Sequence, residues 1–127
     1  MSTPVVAMRD GDTLERALQA LAIAGLHHVV VVDGEGRCAG LLSDRTIAAA
    51  WLHYPADFAR LLAGDLVAVP QQPILGRTAT VREVALTMHC CGTDAVVVVD
   101  GERRPVGVLT AADLVELIAS QDGQPDR

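Results

Sequence analysis

Residues 13–50 recur at residues 80–117 without a gap, 67 positions further along the chain. Thr13 falls on Thr80, Gly25 on Gly92, and the run Val29–Asp33 on Val96–Asp100. Gly34 and Glu35 fall on Gly101 and Glu102, Arg37 on Arg104, Gly40 on Gly107, and Leu42 on Leu109, while Ser43 meets Thr110. About a dozen identities in one ungapped register exceed what apolar composition alone produces, so the chain is an internal duplication. Two copies of a small unit, neither able to bury its apolar face alone, must pack on each other. The cleft between them is the natural place for a ligand.

The chain has 127 residues, half of them apolar and a fifth charged. That suits one compact domain or two paired half-domains, and a length that buries roughly two-thirds of the unfolded surface. No apolar run reaches the ~18–20 residues of a membrane span. Met1-Ser2-Thr3-Pro4 lacks the basic and apolar regions of a secretory signal, so a cytoplasmic location is expected. A net charge of −6 and only three aromatic residues argue against a nucleic-acid surface. Three cysteines, two of them adjacent, make no disulfide framework and suit a reducing compartment.

The pattern predicts two units, residues 1–54 and 72–120, joined by a connector over 55–71 and followed by a flexible polar tail, 121–127. Pro4–Met8 reads as a short strand, with Pro73–Leu75 as its counterpart. Thr13 opens a helix through Ala24, with Leu14, Ala17, Leu18, Leu21 and Ala22 on one face and Gly25 as its stop. The β-branched run Val29–Val32 reads as a strand buried on both faces. Asp33–Gly36 turns, Arg37–Leu42 returns, and Ser43 caps a second helix to about His53. The second unit repeats the plan. Thr80 and Glu83 form a capping box for a helix to Cys91, Gly92 ends it, and Ala95–Val99 is a strand. Asp100-Gly101 turns, Arg104–Leu109 returns, and Thr110 caps a last helix ending near Ser120. In the connector, Pro55 starts a short helix with Phe58, Leu61 and Leu62 on its apolar side, and Gly64 ends it.

With these elements in place the chain resembles the CBS domain pair, a family named for cystathionine β-synthase, over roughly Val5 to Ile118. The family's signature is Gly, two apolar residues, Ser or Thr, two variable residues, then Asp or Asn. Gly107-Val108-Leu109-Thr110-Ala111-Ala112-Asp113 matches it in full. Gly40-Leu41-Leu42-Ser43-Asp44-Arg45-Thr46 departs at the last position. A proline common inside the family's first central strand is Val30 and Val97 here. The resemblance implies an α/β (α+β) fold of tandem strand-helix-strand-strand-helix units in a pseudo-twofold pair. It also implies a non-catalytic regulatory module that binds an adenosine compound between the repeats: AMP, ADP, ATP, S-adenosylmethionine or a dinucleotide such as NAD. Two such pairs associate through their helices, so a homodimer is expected, with energy sensing relayed to a protein effector in trans.

Residue chemistry independently suits such a ligand in the second copy. A carboxylate at Asp113, in the first turn of a helix, can accept from both hydroxyls of a ribose. Thr110 offers a hydroxyl beside unpaired helix N–H groups that suit a phosphate. The aliphatic strand Ala95, Val96 and Val97, with Ile74 opposite, offers adenine an apolar slot. Thr110 and Asp113 are equally the ordinary cap and first-turn acid of a helix. In the first copy Thr46 replaces the ribose-reading acid, and a neutral hydroxyl accepts more weakly than a carboxylate. Ser43 and Arg45 remain suited to a phosphate. One competent site per chain is therefore expected.

The other clusters carry less. His89, Cys90 and Cys91 are helix neighbours about 100° apart and cannot chelate one ion together. One of the two cysteines reads as a buried apolar residue. His27 and His28 precede a strand and face opposite sides, either as a partly buried histidine or in a pH-sensing or phosphate role. No nucleophile triad, Walker glycine loop or paired metal-ligand spacing is present in the sequence, and no enzyme is expected. Two alternatives stay open: a ligand-free dimerisation scaffold, and a thiol or metal sensor built on Cys38, Cys90 and Cys91.

Overall fold

The computed structural model describes residues 6–68 and 71–120. The expectations for Pro4 and Val5, for Val69 and Pro70 of the connector, and for the tail 121–127 lie outside them. The first repeat contains β1 (Ala7–Arg9), α1 (Leu14–Ala24), β2 (His28–Val32), β3 (Cys38–Ser43) and α2 (Asp44–His53). After the connector and its short helix α3 (Ala63–Leu66), the second repeat contains β4 (Ile74–Gly76), α4 (Val81–Cys91), β5 (Ala95–Val99), β6 (Pro105–Thr110) and α5 (Ala111–Ala119). The two sheets have orders β1-β2-β3 and β4-β5-β6, each with one parallel and one antiparallel pairing. Their registers obey the sequence offset: Ala7 pairs with Val30, and Ile74 with Val97.

Local chemistry fixes the helix ends. Thr13 Oγ1 accepts from the Arg16 N–H, Ser43 Oγ from the Thr46 N–H, and Thr80 Oγ1 from the Glu83 N–H. Gly25 and Gly92 close α1 and α4 in the left-handed conformation, at φ 66° and 63°, where a side chain would be strained. Both hairpins use one device. Asp33 Oδ1 accepts from the N–H groups of Glu35 and Arg37, and Asp100 Oδ1 from those of Glu102 and Arg104.

The valine runs are buried on both faces because each sheet is sandwiched. Val29 and Val31 pack with Leu14, Ala17, Leu21, Leu42 and Ile47 against the helices of the first repeat. Val30 points the other way, into a core shared with Cys38, Val97 and Val99 and flanked by Ile74, Leu41 and Val108. Alternation along one strand thus supplies both the helix-facing and the repeat-facing core. Each buried valine contributes roughly 1.5–3 kcal/mol. The predicted stripe of α1 is narrower than expected: Leu14, Ala17 and Leu21 are buried, whereas Leu18 and Ala22 on its rim are exposed.

The connector differs from expectation. It holds a 3-10 turn, Phe58–Arg60, and then α3, and Gly64 lies inside α3 rather than ending a helix. The reason is close approach. The Gly64 N–H donates to the Asp10 carbonyl at 2.9 Å, and an added Cβ would stand 3.0 Å from the Asp10 Cβ. The Ala63 N–H likewise donates to the Asp12 carbonyl, and Ala63 and Val67 join the first repeat's core. Downstream, Gln72 Oε1 accepts from the Leu41 N–H on β3.

Candidate functional site

The register of β3 and β6 brings the two signature joints to the same side of the molecule. Ser43, Asp44, Arg45 and Thr46 open α2, and Thr110, Ala111 and Ala112 open α5. Both stretches line one cleft of about 1060 Å³. His27 and His28 from the first repeat face Gly92, Thr93 and Asp94 of the second, and His89 completes that wall. Val6, Leu26, Met88 and Val108 supply the apolar lining. The cleft therefore takes segments from both repeats and lies between them.

Of the residues singled out in the sequence, Ser43, Arg45 and Thr110 line this cleft. Asp113 stands one residue beyond the lining stretch. Its Oδ2 accepts from the Thr110 N–H at 2.9 Å, and Thr110 Oγ1 accepts from the Asp113 N–H at 3.2 Å. This reciprocal capping box engages one carboxylate oxygen, and the Thr110 N–H holds the Asp113 carboxyl below its usual range. In the first repeat the equivalent pair is two hydroxyls, Ser43 Oγ and Thr46 Oγ1, 3.0 Å apart.

Ile74, Ala95, Val96 and Val97 lie elsewhere. Ile74 and Val97 are side-by-side partners on adjacent parallel strands, not facing walls of a slot, and both belong to the core between the repeats. Ala95 and Val96 are fully buried, Val96 against Val84 and Met88. The apolar wall of the described cleft comes from other side chains, Leu26, Met88 and Val108 among them.

Two imidazole–carboxylate pairs were not legible in the sequence. His27 Nδ1 lies 2.8 Å from Asp44 Oδ2, within the first repeat. His28 Nε2 lies 3.0 Å from Asp94 Oδ1 and bridges the two repeats. The His28 side chain is only 12% exposed and that of Asp94 71%. The hydrogen bond from His27 holds the Asp44 carboxyl below its ordinary value. Separations of 17 and 66 residues leave no local spacing signal for either pair.

The cysteines lie apart from this chemistry. Cys38 is in the core between the repeats, and burial pushes its thiol up to about 11, so it stays protonated at neutral pH. Cys90 is exposed, and burial raises the Cys91 thiol above its ordinary value. Among the described residues no group of three or more His, Cys, Asp or Glu side chains is arranged to hold a metal ion. No helix among them is long and apolar enough to cross a membrane.

Comparison with known proteins agrees with this architecture. The CBS domain family profile matches residues 1–53 and 63–120. The chain is similar to Hypoxic Response Protein I, solved with two coordinated zinc ions, at 25% identity and a TM-score of 0.79. That match covers 91% of this chain and 92% of the other. It is also similar to a CBS domain protein of unknown function from Thermoplasma acidophilum, at 25% identity and TM-score 0.79, covering 91% of this chain and 65% of that one. A CBS domain pair in complex with 5′-methylthioadenosine and S-adenosyl-L-methionine shares the fold at TM-score 0.78 and 23% identity, covering 95% and 93% of the two chains. No curated protein sequence matches the chain.

Proposed function

Because the chain belongs to the CBS domain family, whose paired domains are regulatory modules, we propose that it is a non-catalytic sensor of an adenosine-containing ligand. The observation that carries this reading is the convergence of both signature joints, Ser43–Thr46 and Thr110–Ala112, on one cleft between the repeats. Arg45 offers a guanidinium fork suited to a phosphate, and the N–H groups of Arg45 and Ala112 remain after those of Asp44, Thr46, Ala111 and Asp113 are taken by the His27 and Asp94 carbonyls and the two caps. The Asp113 oxygen left over by the cap is suited to a ribose hydroxyl. The apolar lining residues Leu26, Met88 and Val108 suit a base. The adenosyl class is extended to this chain from the family and from the CBS pair that holds 5′-methylthioadenosine and S-adenosyl-L-methionine.

The working unit in this reading is a cytoplasmic homodimer. Trp51, Leu52 and Tyr54, on and just after α2, and Val115, Leu117 and Ile118 on α5 are exposed and apolar. A second copy covering these helices would remove that surface from water. Ligand occupancy then biases helix packing, and the output reaches a protein effector in trans. A ligand with equal affinity for both packings would shift nothing.

The test is thermal unfolding with millimolar AMP, ADP, ATP, NAD and S-adenosylmethionine, with Asp113→Ala alongside. A ligand at about 100 times its Kd adds about 2.7 kcal/mol, a shift of several degrees. A selective shift that Asp113→Ala loses supports the sensor. No shift with any of them favours the ligand-free scaffold.

A further inference from the structure

We propose that anion binding in this cleft is coupled to proton uptake by His27 and His28, so that the cleft takes a phosphate together with protons. This rests on the sensor reading above and adds its regulation. Hydrogen-bond chemistry supplies the coupling. An ionised carboxylate only accepts, so the imidazole nitrogen facing it carries the hydrogen. Asp44 therefore fixes the hydrogen of neutral His27 on Nδ1, and Asp94 fixes that of neutral His28 on Nε2. The other nitrogen of each ring is then a bare acceptor, which repels an anion. Either ring can hold its carboxylate and an unprotonated phosphate oxygen at once only as imidazolium, with both nitrogens donating.

The surrounding charges point the same way. From α2 the cleft receives Asp44 and Arg45; from the turn before β5 it receives Asp94; from α4 it receives His89; α5 contributes Ala111 and Ala112, preceded by its cap Thr110, none of them charged. Arg45 is the one guanidinium in the lining among the described residues, set against two carboxylates. With neutral imidazoles the cleft is net negative and resists a phosphate. Protonating His27 and His28 adds two positive charges, which offset the lining carboxylates Asp44 and Asp94. His28 is also the side chain that reaches across from the first repeat to the second, so the proton that admits the anion strengthens the bridge between them.

The experiment is calorimetric titration with AMP at pH 6.5, in buffers of different ionisation enthalpy, so that protons taken up per ligand are counted directly. AMP's own phosphate titrates in this range. The double variant His27→Gln/His28→Gln is therefore compared with wild type using both AMP and adenosine 5′-sulfate, whose anion does not titrate here, so that any uptake with the sulfate belongs to the protein. The expected result is greater proton uptake by wild type, with affinity rising about ten-fold per pH unit for each proton linked as pH falls. Asp94→Asn supplies a second readout: with the carboxylate that holds its imidazolium gone, His28 takes up less of the proton on AMP binding at pH 6.5 while AMP still binds. Equal proton uptake by wild type and double variant, with binding intact, overturns the coupling and leaves the sensor reading standing. An absence of heat with AMP, ATP and adenosine alike at pH 6 and pH 7.5 removes both.

Discussion

The Cys38 N–H donates to the Arg103 carbonyl at 2.7 Å and ties the hairpin of one repeat to that of the other. Under the offset of 67, the equivalent donor would be residue 105 and the equivalent carbonyl residue 36. Residue 105 is proline and has no N–H, so the bond exists on one side only. Arg103 meanwhile sits at φ 64°, the conformation that Gly36 adopts at φ 81° in the first repeat.

Replacing Arg103 with glycine should therefore stabilise the protein. A left-handed non-glycine residue costs roughly 1–2 kcal/mol, partly offset by the greater freedom of glycine in the unfolded chain. Urea unfolding should show a gain of about 0.5–1 kcal/mol, with the backbone bond from Cys38 retained. A loss of stability would mean that the Arg103 side chain contributes more than its backbone costs.

Gly40→Ala should do the opposite. A Cβ there would lie 2.7 Å from the Val67 Cβ and collide with Gln72 Oε1, the atom that accepts from Leu41. Overpacking of this kind costs about 1–3 kcal/mol, measurable as a lower denaturant midpoint. A midpoint unchanged from wild type would mean that the connector yields freely.

Acid should weaken the fold through four carboxylates. Backbone N–H groups hold Asp33, Asp100 and Asp113 below their ordinary values, and the His27 side chain does so for Asp44. A depressed folded-state pKa contributes stability above the unfolded value of 3.8 and loses it as pH falls through the folded value. Stability should therefore decline below about pH 4. The Asp33→Asn/Asp100→Asn pair should be less stable at pH 6 and show a flatter decline between about pH 5 and 3. An unchanged slope would remove these turns from the account.

Ile47 is the one residue that α2 buries completely, and Ile47→Ala should cost about 2–5 kcal/mol. By contrast, Trp51→Glu/Ile118→Glu changes exposed positions. For the proposed homodimer, it should leave far-UV circular dichroism unchanged while shifting sedimentation from dimer to monomer. A variant that still sediments as a dimer would place the contact on another face.

The duplication made most of the fold legible, because a gapless offset transfers register as well as element order. It is enough to put Val30 and Val97 on equivalent strands. It says nothing of Gly64, whose role comes from contact with Asp10, more than fifty residues earlier. The cleft divides similarly. Ser43, Arg45 and Thr110 follow a local motif, whereas the pairing of His28 with Asp94 depends on how one repeat sits on the other. An adenine slot at Ile74 and Val97 would need two facing walls, but parallel pairing sets these residues side by side.

The bond from Leu41 to Gln72 also bears on solubility. β3 is the outer strand of its sheet, and an outer strand with free N–H groups is a template for aggregation. Here the Leu41 and Cys38 N–H groups are already taken, by Gln72 and Arg103. The corresponding outer strand, β6, begins with a proline that has nothing to donate, and β1 and β4 are three residues each. A protein rich in consecutive valines thus keeps its most amyloid-prone segments in the middle of each sheet, screened on both flanks from a neighbouring chain.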